Sequence, residues 1–142
     1  MKHVVDGDRV FVRLMKGEEV FSSLESLANK YGWKSAHLSG IGALMNVELG
    51  CYELDKKEYI RKTFKDIHEL LSLEGSPCRI DSKPVFHIHT IISDHNFECR
   101  GGHLFSAVSA ITVEINIRVF DAEVTRKLDE KVGLSLLEFC PV

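Results

Sequence analysis

The chain has 142 residues, of which 44% are hydrophobic and 27% charged, with a formal net charge of -3. That length suits one domain with its own core, and no apolar run approaches the ~20 residues of a membrane span. The acidic balance argues against a nucleic-acid binder, whose affinity comes mostly from neutralising phosphates. The first ten residues, MKHVVDGDRV, are charged early and carry no apolar h-region, so a secretory signal is not expected and the expected compartment is the cytoplasm. Residues 8–15, DRVFVRLM, alternate as a strand. Val20, Leu24, Leu27, Ala28 and Tyr31 then recur on one helical face, and Gly32 stands where a helix-terminating glycine belongs.

Beyond the helix the pattern changes to short strands at about 35–41, 45–53, 58–64, 67–74, 84–93 and 102–108. The clearest alternation is AITVEINIRVF, residues 110–120, with Ile111, Val113, Ile115, Ile117 and Val119 on one face. One helical turn is expected within 121–131 and a last strand over 134–139. Many strands with one long helix predict an α+β domain on a mostly antiparallel sheet, with residues 1–142 as a single domain. The pair of glycines in SGIGAL, residues 39–44, lacks the rest of a dinucleotide or P-loop motif and reads as a bulge or a close backbone approach. The cluster Lys56, Lys57, Arg61, Lys62 and Lys65 is interrupted by acids and reads as a solvated hairpin. Cys51, Cys78, Cys99 and Cys140 form no C-x-x-C pair and read as free thiols, mostly packed as small hydrophobes.

The chemistry concentrates in PVFHIHTIISDHNFECRGGHLF, residues 84–105. Alternation puts His87 and His89 on one face of a strand. If the polar turn folds the chain back about residue 96, His103 stands across the ladder from His89. Cross-strand neighbours have Cβ atoms ~4.5–5.5 Å apart, close enough for imidazoles to share an ion. Three neutral imidazoles and a water make an open zinc site. Without thiolates the set also suits copper, nickel or iron. Unrelated solvent-facing histidines are the alternative. His95 falls in the turn, and His3, His37 and His68 lie outside the cluster. Of these, His37, beside Ser39 and Gly40, is the best placed to support the ligands, although packing also accounts for it.

A catalytic site would need a base within hydrogen-bond reach of a metal-bound water. Glu69, an acid in an apolar strand pattern, is the first candidate. Glu114 is the second, although the polar face of its strand accounts for it.

The segments SGIGAL, VELGCYE, Tyr59, HELLSLEGSP, KPVFHIHTIISD, GGHL and TVEINI follow one another in an order that resembles the PPC (plant and prokaryote conserved) domain, in its stand-alone prokaryotic branch. The resemblance covers about residues 8–139. It implies a mostly antiparallel sheet of about seven strands flanked by helices, assembled as a homotrimer. It also implies metal binding by His87, His89 and His103; the imidazole chemistry makes zinc the expected ion, one per chain. In plants the domain is fused to AT-hooks in chromatin-associated proteins, but this chain has no R-G-R-P core. Three functions are therefore in view: zinc-assisted hydrolysis of a small substrate, a DNA-associated or regulatory assembly module with a structural metal, and a plain interaction trimer.

Overall fold

A computed structural model describes residues 1–139. Nine strands and one helix follow in chain order: β1 (Lys2–Asp6), β2 (Arg9–Met15), α1 (Val20–Tyr31), β3 (Ser35–Glu53), β4 (Glu58–Phe64), β5 (His68–Ile80), β6 (Lys83–Ser93), β7 (Cys99–Phe120), β8 (Val124–Asp129) and β9 (Leu134–Phe139). The helix has the expected bounds. Glu19 caps its start, its carboxylate accepting from the Ser22 N–H at 2.7 Å, and Gly32 ends it in the left-handed region at φ 63°. Arg79 of β5 then donates to the Ala28 and Trp33 carbonyls at 2.9 and 2.6 Å. It thereby ties the last turn of α1 to the sheet and places a cation at the negative end of the helix dipole.

All strand pairs are antiparallel. Seven strands make one sheet in the order β1-β2-β7-β6-β5-β3-β4, and β7 also pairs with β3. The pairings β3–β5, β5–β6, β6–β7 and β7–β3 thus close a ring. Val20, Leu24, Leu27 and Ala28 of α1 pack with Val10, Val12, Leu14, Ile88, Val113, Ile115 and Ile117 in the core.

The expected α+β class with flanking helices is corrected by this structure. Only α1 is helical among the described residues, and the protein is mostly β. A sheet that closes on itself covers much of its own apolar face, so one helix suffices to complete the core. The helical turn expected within 121–131 is instead the strand β8 of a hairpin. Its turn is fixed by the Asp129 carboxylate, which accepts from the Lys131 and Val132 N–H groups at 2.8 and 3.1 Å. Gly133 follows at φ 79°. Local turn chemistry and β-branched Val124 and Thr125 outweigh the helix-forming charged residues there.

The paired expectations 35–41 and 45–53 merge into the single bent strand β3, and 102–108 with 110–120 into β7. The bend is a register shift. Gly42 pairs with Val113 and Leu44 with Ser109, so two steps on β3 face four on β7. The extra residues reverse the alternation there and turn Ile111 outward, 62% exposed, while Val113, Ile115 and Ile117 stay buried. SGIGAL is therefore the bulge its glycines imply. Cys78 is buried, whereas Cys51 and Cys99 are exposed. Cys140 lies outside the described residues.

Gly42 has φ +150°, and a Cβ there would stand 2.3 Å from the Thr112 carbonyl oxygen and 2.8 Å from Val113 Cα. Both are backbone atoms that cannot yield without moving β7. Gly42→Ala is expected to destabilise the fold by more than ~1 kcal/mol, read as a lower urea midpoint at unchanged slope. An unchanged midpoint would contradict this account of the bend.

Candidate metal centre

Strand β6 buries Phe86, Ile88, Thr90 and Ile92 and turns His87 and His89 the other way. The β6–β7 turn is held by Asp94, whose side-chain oxygen accepts from the Asn96 and Glu98 N–H groups at 2.9 and 3.0 Å. These bonds hold its carboxyl below the usual carboxylate range, the Glu98 N–H foremost. The turn sets the register, and His89 stands directly opposite His103, as a fold-back about residue 96 requires. Strand pairing then extends one row across the sheet: Arg61 opposite Gly50, Gly50 opposite His103, His103 opposite His89, and His89 opposite Glu74.

His87, His89 and His103 offer ring nitrogens that all lie within 4.8 Å of one another. The Nε2 atoms of His87 and His89 are 3.1 Å apart. A tetrahedral ion at ~2.0–2.1 Å from each ligand holds nitrogens ~3.3 Å apart. The triad needs to tighten by at most ~1.5 Å to reach that geometry.

Two further features fit a cation. His103 Nδ1 is buried without a hydrogen-bond partner, an uncommon state for a polar atom. Burial, reinforced by His87, His89, Arg61 and Arg126, pushes the His103 pKa down to about 4. Burial, then Arg126 and His89, also lowers His87. Both rings are therefore held neutral near pH 7, the form that ligates a metal.

Aromatic rings wall the cluster. The His103 ring centroid is 5.0 Å from Tyr59 and 4.7 Å from Phe105. Gly50 makes room for them: a Cβ there would stand 2.5 Å from Phe105 Cε2 and 3.0 Å from Tyr59 Cδ1. The Arg61 guanidinium lies 3.5 Å over the Phe105 ring, so this member of the expected solvated hairpin covers the site's wall. On the other side the β8–β9 hairpin brings in Arg126, which donates from Nη2 to His87 Nδ1 and to Ser76 Oγ, both at 3.1 Å. The hairpin is fastened there by the Tyr52 hydroxyl donating to the Val132 carbonyl at 2.7 Å and by Lys57 Nζ donating to the Glu130 carbonyl at 2.6 Å.

The expected bases lie elsewhere. Glu69 is exposed and pairs with Ser93, four residues along β6 from His89, or ~13 Å at the usual strand rise. Glu114 is exposed and pairs with Arg13 and Ile41 on another part of the sheet. The structure does not bring either acid to the imidazoles. Glu74 is the acid in the histidine row, and its Oε2 lies 3.2 Å from His37 Nε2. His68 is buried with Nδ1 2.9 Å from the Asp66 carbonyl. His3 meets the Tyr31 hydroxyl at 2.8 Å, and His95 is exposed in the turn.

Sequence reasoning missed Arg126 because residues 121–131 show no strand alternation. It missed the site role of Arg61 because that arginine sits in a charged run whose ordinary reading is solvation. Tyr59 was legible only as part of the resemblance.

The model of the plants and prokaryotes conserved domain matches residues 1–121. Among solved structures, a metal-containing protein of Archaeoglobus fulgidus is 35% identical with a TM-score of 0.84, covering 92% of each chain. A plant- and prokaryote-conserved protein of Pyrococcus horikoshii is 29% identical with a TM-score of 0.86, covering 96% of this chain and 94% of that one. A candidate DNA-binding protein of Ralstonia eutropha is 26% identical with a TM-score of 0.90, covering 98% of this chain and 96% of that one. No curated protein matches. With residues 1–121 of its 142 matched by the domain, the chain belongs to the plant and prokaryote conserved domain family.

Proposed function

We propose that this chain is a cytoplasmic metal-binding protein whose ion, zinc by preference, is held by His87, His89 and His103. The observation that carries the reading is the meeting of three imidazoles within 4.8 Å on one sheet face, with the buried Nδ1 of His103 unpartnered. The metal-containing relative from Archaeoglobus fulgidus supports it. Three imidazoles leave a tetrahedral ion one open position, toward which a small ligand can bind. The hydrolytic version drew its base from Glu69, which pairs with Ser93 well along the sheet. Metal and ligand binding is accordingly the activity proposed. No helix is long and apolar enough to cross a membrane among the described residues.

Assembly as a homotrimer belongs to the same reading. Phe11, Ile41 and Ile91 stand 46%, 58% and 46% exposed, and cyclic self-association is an ordinary way to cover such groups. A second reading, a DNA-associated module with a structural metal, is favoured by the candidate DNA-binding relative from Ralstonia eutropha. The net charge of -3 weighs against it.

Three measurements test these readings. Purified protein should hold about one divalent ion per chain by elemental analysis. His89→Ala and His103→Ala should each abolish it while the fold survives by circular dichroism. Undiminished metal in both variants would end the assignment. Light scattering should return about three times the 16.1 kDa chain mass, and a monomer at micromolar concentration would contradict the assembly. Duplex DNA at physiological salt should bind no better than the non-specific range of ~10⁻⁴–10⁻⁶ M. Tight, sequence-selective binding would promote the second reading.

A further inference from the structure

Two guanidiniums flank the imidazoles, and no carboxylate is among the ligand atoms. Arg61 shares the cross-strand row of His103 and meets Glu48 only at 3.7 Å. Arg126 donates to His87 Nδ1, Ser76 Oγ and the Ser135 carbonyl, while its Nε is buried without a partner. A divalent ion on neutral imidazoles beside two such groups concentrates positive charge, and nothing in the ligand set offsets it.

The proton on His87 adds a second constraint. A guanidinium can only donate, so His87 Nδ1 accepts from Arg126 and the neutral ring carries its proton on Nε2. That nitrogen is the one 3.1 Å from His89 Nε2. A ring that gives Nε2 to a metal carries its proton on Nδ1 instead. Two donors then face each other, and Arg126 has to leave His87. Ligation through Nδ1 leads to the same result, because the guanidinium already stands there. Metal loading thus strips Arg126 of an acceptor while its Nε already has none. A planar guanidinium fork is matched by a carboxylate or a phosphate.

We propose that the site takes a small anion, carboxylate or phosphate, together with the metal, and that Arg126 is the residue that selects it. The proposal rests on the metal reading above and adds the chemical class of the ligand. It also gives a function to the β8–β9 hairpin, since Arg126 lies beyond the residues 1–121 that the family model matches.

Calorimetry on the intact chain separates the two levels. Zinc is titrated first into metal-free protein in an anion-poor buffer. Malonate and inorganic phosphate are then titrated into the zinc-loaded and the metal-free forms. The expected result is anion binding to the zinc-loaded form only, with the tighter of the two probes naming the class. In Arg126→Gln, anion affinity should fall ~10–100-fold, the effect of losing a hydrogen bond to a charged group. Zinc should bind that variant at least as tightly as wild type, because a competitor for His87 is gone. Arg126→Lys keeps the charge without the fork and should restore part of the anion affinity, which keeps the test open if the glutamine variant misfolds. Zinc binding without anion binding, or anion affinity equal in all three proteins, overturns the proposal and leaves the metal site standing. No zinc binding by wild type overturns both.

Discussion

The pairing of β3 with β7 is the constraint on which the rest of the molecule depends. These are its two longest strands, at 19 and 22 residues, and they stay paired from Ser35–Phe120 to Gly50–His103. A flat ladder of that length would leave one broad face bare. The register shift at Gly42 bends both strands instead, and the ends meet β5 and β6 to complete a ring. The first part of β3 and the last part of β7 build the core under α1. The far ends of the same strands set Gly50 beside His103, and β6 then brings His89 to it. One pairing therefore fixes both the core and the site, and a fault in its register would be felt in both.

The electrostatics of the site follow from that placement. His87 and His103, crowded on one face with aromatic rings beside them and arginines on two sides, are held from protonating. Burial is the largest cause at both His87 and His103, and the neighbouring cations add to it. A neutral imidazole keeps the lone pair that metal ligation needs. The site thus sets three imidazoles beside the guanidiniums of Arg61 and Arg126.

Much of the fold was legible in the sequence where local chemistry decides. The helix showed both ends through its apolar face and Gly32. The β4 bounds came from its flanking turns. A fold-back assumed to centre on residue 96 puts His103 opposite His89, and the observed register agrees. What could not be read was non-local. Nothing in the chain announces that β3 will find β7; the flanking helices are what the resemblance implies, and the closure leaves the sheet with α1 alone among the described residues. The strand KHVVD is too short to announce itself beside its turn. Residues 121–131 carry too many charges for alternation to show, so Arg126 was hidden with its hairpin. Glu69 stands out in the sequence because a carboxylate in an apolar strand is costly when buried. It lies on the solvent face of a half-buried strand, where it costs nothing.

The most direct test of the central claim is a crystal structure with anomalous data collected across the zinc edge. A single strong peak per chain is expected, bounded by one ring nitrogen from each of His87, His89 and His103 at ~2.0–2.1 Å, with Arg126 turned away from His87 Nδ1. A density map of zinc-soaked crystals with no anomalous peak there, and with Arg126 still bonded to His87, would contradict it.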